Sequence, residues 1–213
     1  VILFMKTMMK RLIAGTLAAA AVAALSGCSG GVPDPKHLLV AHGHGEWHPV
    51  NIGLTTFAEA VEENTDYTFS VYPNGQLGDD SAMVQLVKAG VLDVAKVSAG
   101  ALEQFNPAYS IFSVPYVFQS TEHYFNTMNN SEAVQEIFNS TRDDGFIAIG
   151  WFDSGARSIY TTKEGPVESP KDLNGLKIRT MNSPTSVEMI NNIGGSATPM
   201  SSGEVYTSLQ QGI

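Results

Sequence analysis

Hydrophobic and polar positions along the chain follow two alternating periods, which predict alternating strands and helices. Between residues 49 and 64, apolar side chains recur at helical spacing, for example at Val50, Leu54 and Ala58. Residues 37–41 form a short, mostly apolar run, and residues 67–71 alternate between apolar and polar. Both patterns are typical of β-strands.

The same periods predict further elements. Strands are expected over 92–97, 146–152, 157–162, 176–180 and 197–200. Helices are expected from Asp79 or Asp80 to Gly90, from Ser131 to near Gly145, from Ser183 to Ile193 and from Gly203 to Gln211. Strand–helix alternation favours an α/β fold with mostly parallel sheets.

The N-terminal residues have the three parts of a secretory signal. Lys6, Lys10 and Arg11 precede 14 small or apolar residues, and Leu-Ser-Gly-Cys ends the segment at Cys28. The apolar run is shorter than the ~20 residues that span a bilayer. Leu-Ser-Gly-Cys resembles the lipobox of bacterial lipoproteins, which implies a signal peptide over 1–27, an acylated Cys28 and a tether over 28–36. An ordinary signal with an incidental cysteine is the alternative.

Charge narrows the function classes. Residues 1–27 hold three of the 12 Lys and Arg and none of the 21 Asp and Glu, so residues 28–213 carry a net charge of −12. A nucleic-acid binder needs a basic surface, and no Lys/Arg cluster lies outside the signal, so nucleic acid is excluded as a partner. Cys28 is the only cysteine, which excludes an internal disulfide.

Polar side chains follow several predicted strands. Arg179 ends the 176–180 strand, and a helix begins at once with Ser183. A strand-end arginine that faces a helix N-terminus can hold an anion, although a surface salt bridge is equally compatible with this strand alone. Trp151 and His48 follow other predicted strands, so all of these residues are expected at one rim.

Several ordered stretches resemble a known family over nearly the whole of residues 28–213. They are Tyr72-Pro73-Asn74-Gly75-Gln76-Leu77-Gly78-Asp79, Val114-Pro115-Tyr116-Val117-Phe118, Gly155-Ala156-Arg157, residues 169–179 (Ser-Pro-Lys-Asp-Leu-Asn-Gly-Leu-Lys-Ile-Arg), Thr198-Pro199-Met200 and residues 203–212. Together they resemble the solute-binding subunit of tripartite ATP-independent periplasmic (TRAP) transporters, of the DctP type.

The resemblance implies a two-lobe, periplasmic-binding-protein-like fold that encloses a small organic acid. Lobe 1 is expected over 37–154 and lobe 2 over 155–213, where the second lobe is incomplete because the family continues beyond Ile213. The resemblance also implies a bidentate contact from Arg179 to the ligand carboxylate, assisted by Arg157, and a hydrogen bond from Asn182.

Alternatives stay open for these residues. Arg157 could form a structural ion pair between lobes, and Asn182 could cap the following helix. His48 and Glu46 are expected to touch ligand hydroxyls. Trp151 is either a wall of the cleft or part of the core.

His42, His44, Glu46 and His48, the histidine cluster, have alternate spacing that would place four metal-type ligands on one face of a strand. This pattern supports a second hypothesis, a metal-dependent hydrolase. Against it, Gly43, Gly45 and Pro49 indicate an irregular loop, and no nucleophile–base motif is found outside the signal. The sequence therefore predicts a binding protein rather than an enzyme, without cofactor or metal.

The expected ligand is a sugar acid or a C4-dicarboxylate. The expected partners are the TRAP permease subunits and a membrane reached through the lipid anchor, and the expected location is extracytoplasmic. A binding lipoprotein of an ABC-type or sensor-linked system is a third hypothesis.

Overall fold

The computed structural model describes residues 34–161 and 165–213. The predicted signal peptide 1–27, Cys28 and most of the tether 28–36 lie outside the described residues. Within those two ranges, none of the helices combines the length and apolarity that crossing a membrane requires.

The first sheet contains three parallel strands. These are β1 (His37–His42), β2 (Thr68–Tyr72) and β3 (Val94–Lys96), in the order β2-β1-β3. Pairing of His37 with Thr68 and of His42 with Lys96 brings the carboxyl ends of the strands to one edge. The central strand is the most buried, as its apolar sequence predicts.

Two helices predicted from their spacing cover this sheet. Helix α1 (Pro49–Asn64) is capped at its N-terminus by His48, whose Nδ1 accepts the Val50 N–H. Helix α2 (Asp80–Lys88) begins after Asp79, whose Oδ1 accepts the Ala82 N–H. The chain leaves α2 through Gly90 at φ +68°, a left-handed conformation that glycine adopts without steric cost.

A mainly helical segment follows. It contains α3 (Ala99–Leu102), a 3₁₀ turn (Pro107–Ser113), α4 (Thr121–Asn130), α5 (Glu132–Asn139) and a second 3₁₀ turn (Arg142–Asp144). Its core includes Val84, Leu102, Tyr109, Met128, Val134 and Phe138. Helix α4 was not predicted, because its one buried residue, Met128, leaves no apolar stripe in the sequence.

The second sheet is a compact β-α-β unit. After a 3₁₀ turn (Pro170–Leu173), β4 (Lys177–Thr180) leads into α6 (Pro184–Asn192) and then β5 (Ser196–Pro199). The two strands are parallel, and Arg179 pairs with Thr198. A 3₁₀ turn (Ser202–Glu204) and α7 (Val205–Gln211) follow. The elements predicted here are confirmed within a residue or two, except that the last helix begins with the 3₁₀ turn.

The strands predicted over 146–152 and 157–162 are wrong for the residues described. Residues 146–161 form no ladder with any described segment and are mostly exposed. Their composition suits a strand, but a strand also needs a neighbour to pair with its backbone N–H and C=O groups. Composition alone therefore assigned these residues to strands that the structure does not contain in its described part.

The two sheets fall on either side of the predicted lobe boundary at 154/155. Residues from Lys36 to Ile213 nevertheless form one compact unit, so the division into 37–154 and 155–213 remains a prediction.

Candidate functional site

A large cavity lies at the strand ends of both sheets. Its lining includes Lys96 at the end of β3, Arg179 in β4, and Trp151 and Arg157 from the segment between them. Its volume of about 2870 Å³ exceeds the ~300–1,000 Å³ typical of pockets for small ligands. A small ligand would therefore occupy only part of the cavity, and the charged side chains indicate which part.

Arg179 is half-buried and held by a backbone carbonyl. Its Nε and Nη2 donate to the Met200 carbonyl oxygen at 3.2 and 2.8 Å. Met200 follows β5, so the parallel pairing of β4 and β5 fixes the guanidinium. These contacts occupy one edge of the planar group and leave the Nη1/Nη2 edge, which offers two parallel donors to a carboxylate. Burial and the nearby Arg157 lower the pKa of Arg179, and Asp80 raises it.

Arg157 is exposed and makes no ion pair or hydrogen bond with another described residue. The structure thus gives no support, in its described part, to an ion pair between lobes. The charge of Arg157 acts on both Arg179 and Lys96. We call Lys96, Arg157 and Arg179 the cation group.

Lys96 is the member that the sequence analysis missed. Its Nζ lies 2.9 Å from His44 Nε2. Burial lowers the pKa of Lys96, Asp80 raises it and Arg157 lowers it further. The signal was available, because Lys96 ends a predicted strand just as Arg179 does, and strand ends carry the ligand contacts of α/β sheets.

The histidine cluster does not form a strand. Only His42 belongs to β1, and the chain turns after it. His42 is fully buried, with Nε2 3.0 Å from Asn51 Oδ1 and Nδ1 accepting the His44 N–H. Because Nδ1 accepts, Nε2 carries the proton, and His42 is neutral.

His44 connects this cluster to Lys96. Its ring stacks on that of His48, with centroids 4.1 Å apart and planes 12° apart. Burial, with the charge of Lys96, lowers the pKa of His44 to about 4. His44 is therefore neutral at pH 7, and its Nε2 accepts a hydrogen bond from the Lys96 ammonium.

These contacts contradict the metal-site hypothesis. His42, His44 and His48 each accept or donate to a different protein partner, and the Lys96 ammonium beside His44 would repel a cation. Glu46 is exposed, and its side chain makes no hydrogen bond with another described residue, whereas its backbone carbonyl accepts from Asn51 Nδ2. Among residues 34–161 and 165–213, no three His, Cys, Asp or Glu side chains form a group that could hold a metal.

Asn182 is not the cap of α6, so that alternative is wrong. Ser183 is the cap, because its Oγ accepts the Ser186 N–H. The Asn182 backbone carbonyl accepts from Gln104 Nε2 at 2.9 Å, and its half-buried side chain makes no hydrogen bond within the described part of the chain. Asn182 does not belong to the cavity lining, although Arg179 and Met181 do, so its contact with a ligand stays a prediction.

A buried carboxylate fixes the start of α6. Glu103 accepts from Ser183 Oγ at 2.8 Å and from the Thr185 N–H at 3.1 Å. Burial alone would raise the pKa of Glu103, but hydrogen bonds from Ser113, Thr185 and Ser183 outweigh it and lower that pKa. Glu103 therefore joins the end of α3 to the segment that carries Asn182.

Trp151 combines the two roles between which the sequence could not decide. It lines the cavity and packs edge-on against Tyr124 and Phe125, with ring centroids 5.2 and 5.3 Å away. The core thus holds the indole as part of the cavity wall.

Asp80 is a carboxylate whose charge acts on both Lys96 and Arg179, and its Oδ2 accepts from both the backbone N–H and the hydroxyl of Ser98, at 2.8 and 2.7 Å. The Lys36–Asp66 pair is the single salt bridge in the described ranges, so no carboxylate there neutralises the cation group by direct contact.

Comparison with known proteins gives a consistent result. Residues 40–213 match the family model DctP, bacterial extracellular solute-binding protein, family 7. An uncharacterized protein of Salmonella typhimurium, YiiZ, is 44% identical over 167 residues, which cover 78% of this chain and 51% of that protein. The chain spans about half the length of the curated relatives it matches.

Solved structures agree with the fold. A TRAP periplasmic solute binding protein from Anaerococcus prevotii, with bound α/β-D-glucuronate, is 45% identical with a TM-score of 0.80, covering 83% of this chain and 58% of its own. Another from Sulfitobacter sp. NAS-14.1, with bound β-D-galacturonate, is 33% identical with a TM-score of 0.78, covering 83% and 59%.

Proposed function

The chain belongs to bacterial extracellular solute-binding protein family 7, and from this membership we propose that it captures a sugar acid of the uronate type. Several relatives, such as the TRAP protein of Anaerococcus prevotii, are periplasmic solute-binding proteins rather than enzymes, which supports the predicted non-enzymatic role and extracytoplasmic location. The fold prediction of parallel α/β sheets is confirmed by the same structures.

The cation group is the observation that carries the proposal. Arg179 offers two parallel donors on its Nη1/Nη2 edge, and Arg157 adds a second guanidinium without a protein counter-ion among the described residues. A guanidinium edge matches a carboxylate in geometry and charge. The ligand carboxylate therefore binds Arg179, with Arg157 beside it, whereas Asn182, which lies outside the cavity lining, is kept as a contact only because the family resemblance implies it.

The choice of a sugar acid depends on the relatives and on the polar surroundings. Both solved relatives described above hold uronates, and the cavity wall combines the indole of Trp151 with the polar groups of Lys96 and Ser98. An aromatic face beside hydrogen-bonding groups suits a hydroxylated ring. His48 and Glu46 remain candidate contacts to hydroxyls, although neither belongs to the cavity lining.

We propose that the bound acid is delivered to the membrane subunits of a TRAP transporter. The family membership supports this step, and the Leu-Ser-Gly-Cys sequence supports an acyl anchor on Cys28 that would keep the protein near the membrane. Acylation is tested by mass spectrometry of the membrane-extracted protein, which is expected to find the lipid on Cys28 and no lipid after Cys28→Ser.

Calorimetric titration of the full-length protein tests the ligand. D-Glucuronate and D-galacturonate are expected to bind and to raise thermal stability by RT ln(1 + [L]/Kd), about 2.7 kcal/mol at a concentration of 100 Kd. D-Glucose, which lacks only the carboxylate of D-glucuronate, is expected not to bind. Equal binding of D-glucose would contradict a carboxylate-directed site, and tighter binding of succinate would favour the C4-dicarboxylate alternative.

A further inference from the structure

Lys96 and Arg179 approach the cavity from different sheets. Lys96 ends β3 of the first sheet, and Arg179 lies in β4 of the second. Both line the same cavity. Arg157 and Asp80 act electrostatically on each of them. Arg157 and Asp80 are therefore near both side chains, and a ligand held by its carboxylate at Arg179 can extend within the shared cavity toward Lys96.

The Lys96 ammonium is oriented but not neutralised. Its one hydrogen bond within the described chain goes to His44 Nε2, a neutral acceptor. An ammonium has three N–H donors, so two remain for other partners. Asp80, the nearby carboxylate, already accepts two hydrogen bonds from Ser98.

His44 is itself held in place. Its ring stacks on His48, and the imidazole of His48 caps α1 through the Val50 N–H. The stack connects Lys96 to the start of a 16-residue helix. A lysine has a flexible stem, and such a fixed acceptor reduces the number of positions that its ammonium visits.

We propose that Lys96 is a specificity-determining residue that binds ligand oxygens at the end opposite the carboxylate held by Arg179, with His44 as its positioning residue. This inference rests on the proposed function, because it takes Arg179 as the carboxylate site. The ligand class it defines is an acid whose far end carries hydroxyl, ring or carboxylate oxygens.

The test compares D-glucuronate with D-glucarate in calorimetric titrations of the complete protein. D-Glucarate has the same carbon skeleton with a second carboxylate at the far end. In the Lys96→Gln variant, D-glucuronate is expected to bind about 10- to 100-fold more weakly, the range for loss of one charge-assisted hydrogen bond. The affinity for D-glucarate relative to D-glucuronate is expected to fall as well.

Lys171→Gln is the matched control, because Lys171 is exposed, lies outside the cavity lining and loses the same charge. His44→Phe keeps an aromatic ring for stacking but removes the acceptor. It is expected to weaken D-glucuronate binding, and His44→Gln, which restores an acceptor, is expected to recover part of it. Partial recovery distinguishes positioning from a general loss of structure.

The outcomes separate the two proposals. If the wild type binds D-glucuronate and the affinity of Lys96→Gln is within twofold of that of Lys171→Gln, the role of Lys96 is overturned and the proposed function stays intact. If Lys96→Gln loses affinity equally for D-glucuronate and D-glucarate, so that the ratio of the two affinities is unchanged, the assignment of Lys96 to the far end of the ligand is overturned. Failure of the wild type to bind any acid in the panel would overturn both proposals.

Discussion

Replacement of Arg179 tests the central feature of the site, the unoccupied edge of its guanidinium. The Met200 carbonyl takes Nε and Nη2, so a ligand carboxylate can accept two parallel hydrogen bonds from Nη1 and Nη2. Arg179→Ala removes both bonds and the charge. Arg179→Lys keeps the charge but cannot present two parallel donors to one carboxylate while another contact holds it.

The expected losses differ in size. A charge-assisted hydrogen bond contributes ~1.5–3 kcal/mol, so two contribute ~3–6 kcal/mol, and each ~1.4 kcal/mol is a factor of ten. Arg179→Ala is therefore expected to weaken D-glucuronate binding by roughly 10²- to 10⁴-fold. Arg179→Lys, which loses about one bond, is expected to weaken it by roughly 10- to 100-fold.

The assay is titration calorimetry on the complete protein, with urea denaturation of the ligand-free variants. Because Met200 loses its charged donor, Arg179→Ala is also expected to lower the free energy of unfolding by ~1.5–3 kcal/mol. Arg142→Ala is the control, since Arg142 is exposed, lies outside the cavity lining and, among the described residues, donates from its side chain only to the Asn139 side chain. If Arg179→Ala binds D-glucuronate with an affinity within threefold of that of Arg142→Ala, the assignment of the carboxylate site is refuted.

Three further predictions concern stability. Glu103→Gln is expected to lower the free energy of unfolding by ~1–3 kcal/mol in urea denaturation, because it weakens a buried charge-assisted contact to the start of α6, whereas the exposed Glu136→Gln should change it little. His44 is neutral in the fold because its pKa is lowered from 6.5 to about 4, so its contribution to the free energy of unfolding is fully present above pH 6.5 and falls as the pH drops toward 4. The urea midpoint is expected to depend less steeply on pH in His44→Gln than in the wild type, and an unchanged pH dependence would contradict the assignment. Gly100→Ala would place a Cβ 2.8 Å from the Cβ of Ser183 and is expected to lower the free energy of unfolding by ~1–3 kcal/mol in urea denaturation, while Gly150→Ala, with open space around it, is the control.

Local patterns carried most of the fold. The local sequence shows the hydrophobic period of the strands β1, β2 and β4 and of the helices α1, α2 and α6. The helices also have a capping residue at their start. The strands predicted over 146–152 and 157–162 were wrong because strand pairing depends on residues that are distant in sequence. Their apolar composition is compatible with a strand, but no described segment supplies the hydrogen-bonding partner.

The site was predicted unevenly for a similar reason. Arg179 could be found because a strand end is followed at once by a helix start. The metal-site alternative for the histidine cluster required a strand that continues past His42, and β1 ends there, as Gly43, Gly45 and Pro49 indicated. Lys96 was overlooked because its importance comes from contacts with residues distant in sequence, such as His44, 52 positions away.

Two members of the cation group, Arg179 and Lys96, are held by acceptors that leave their charge uncompensated. A backbone carbonyl fixes Arg179, and a neutral imidazole fixes Lys96. A carboxylate would orient either group equally well, but a ligand would then have to compete with a resident counter-ion. Asp80 shows the complementary arrangement, since its oxygen accepts from the Ser98 N–H and hydroxyl rather than forming an ion pair. Under the proposed function, an acidic chain that repels anions at long range still binds one, because Arg179 and Lys96 are fixed in place without being neutralised.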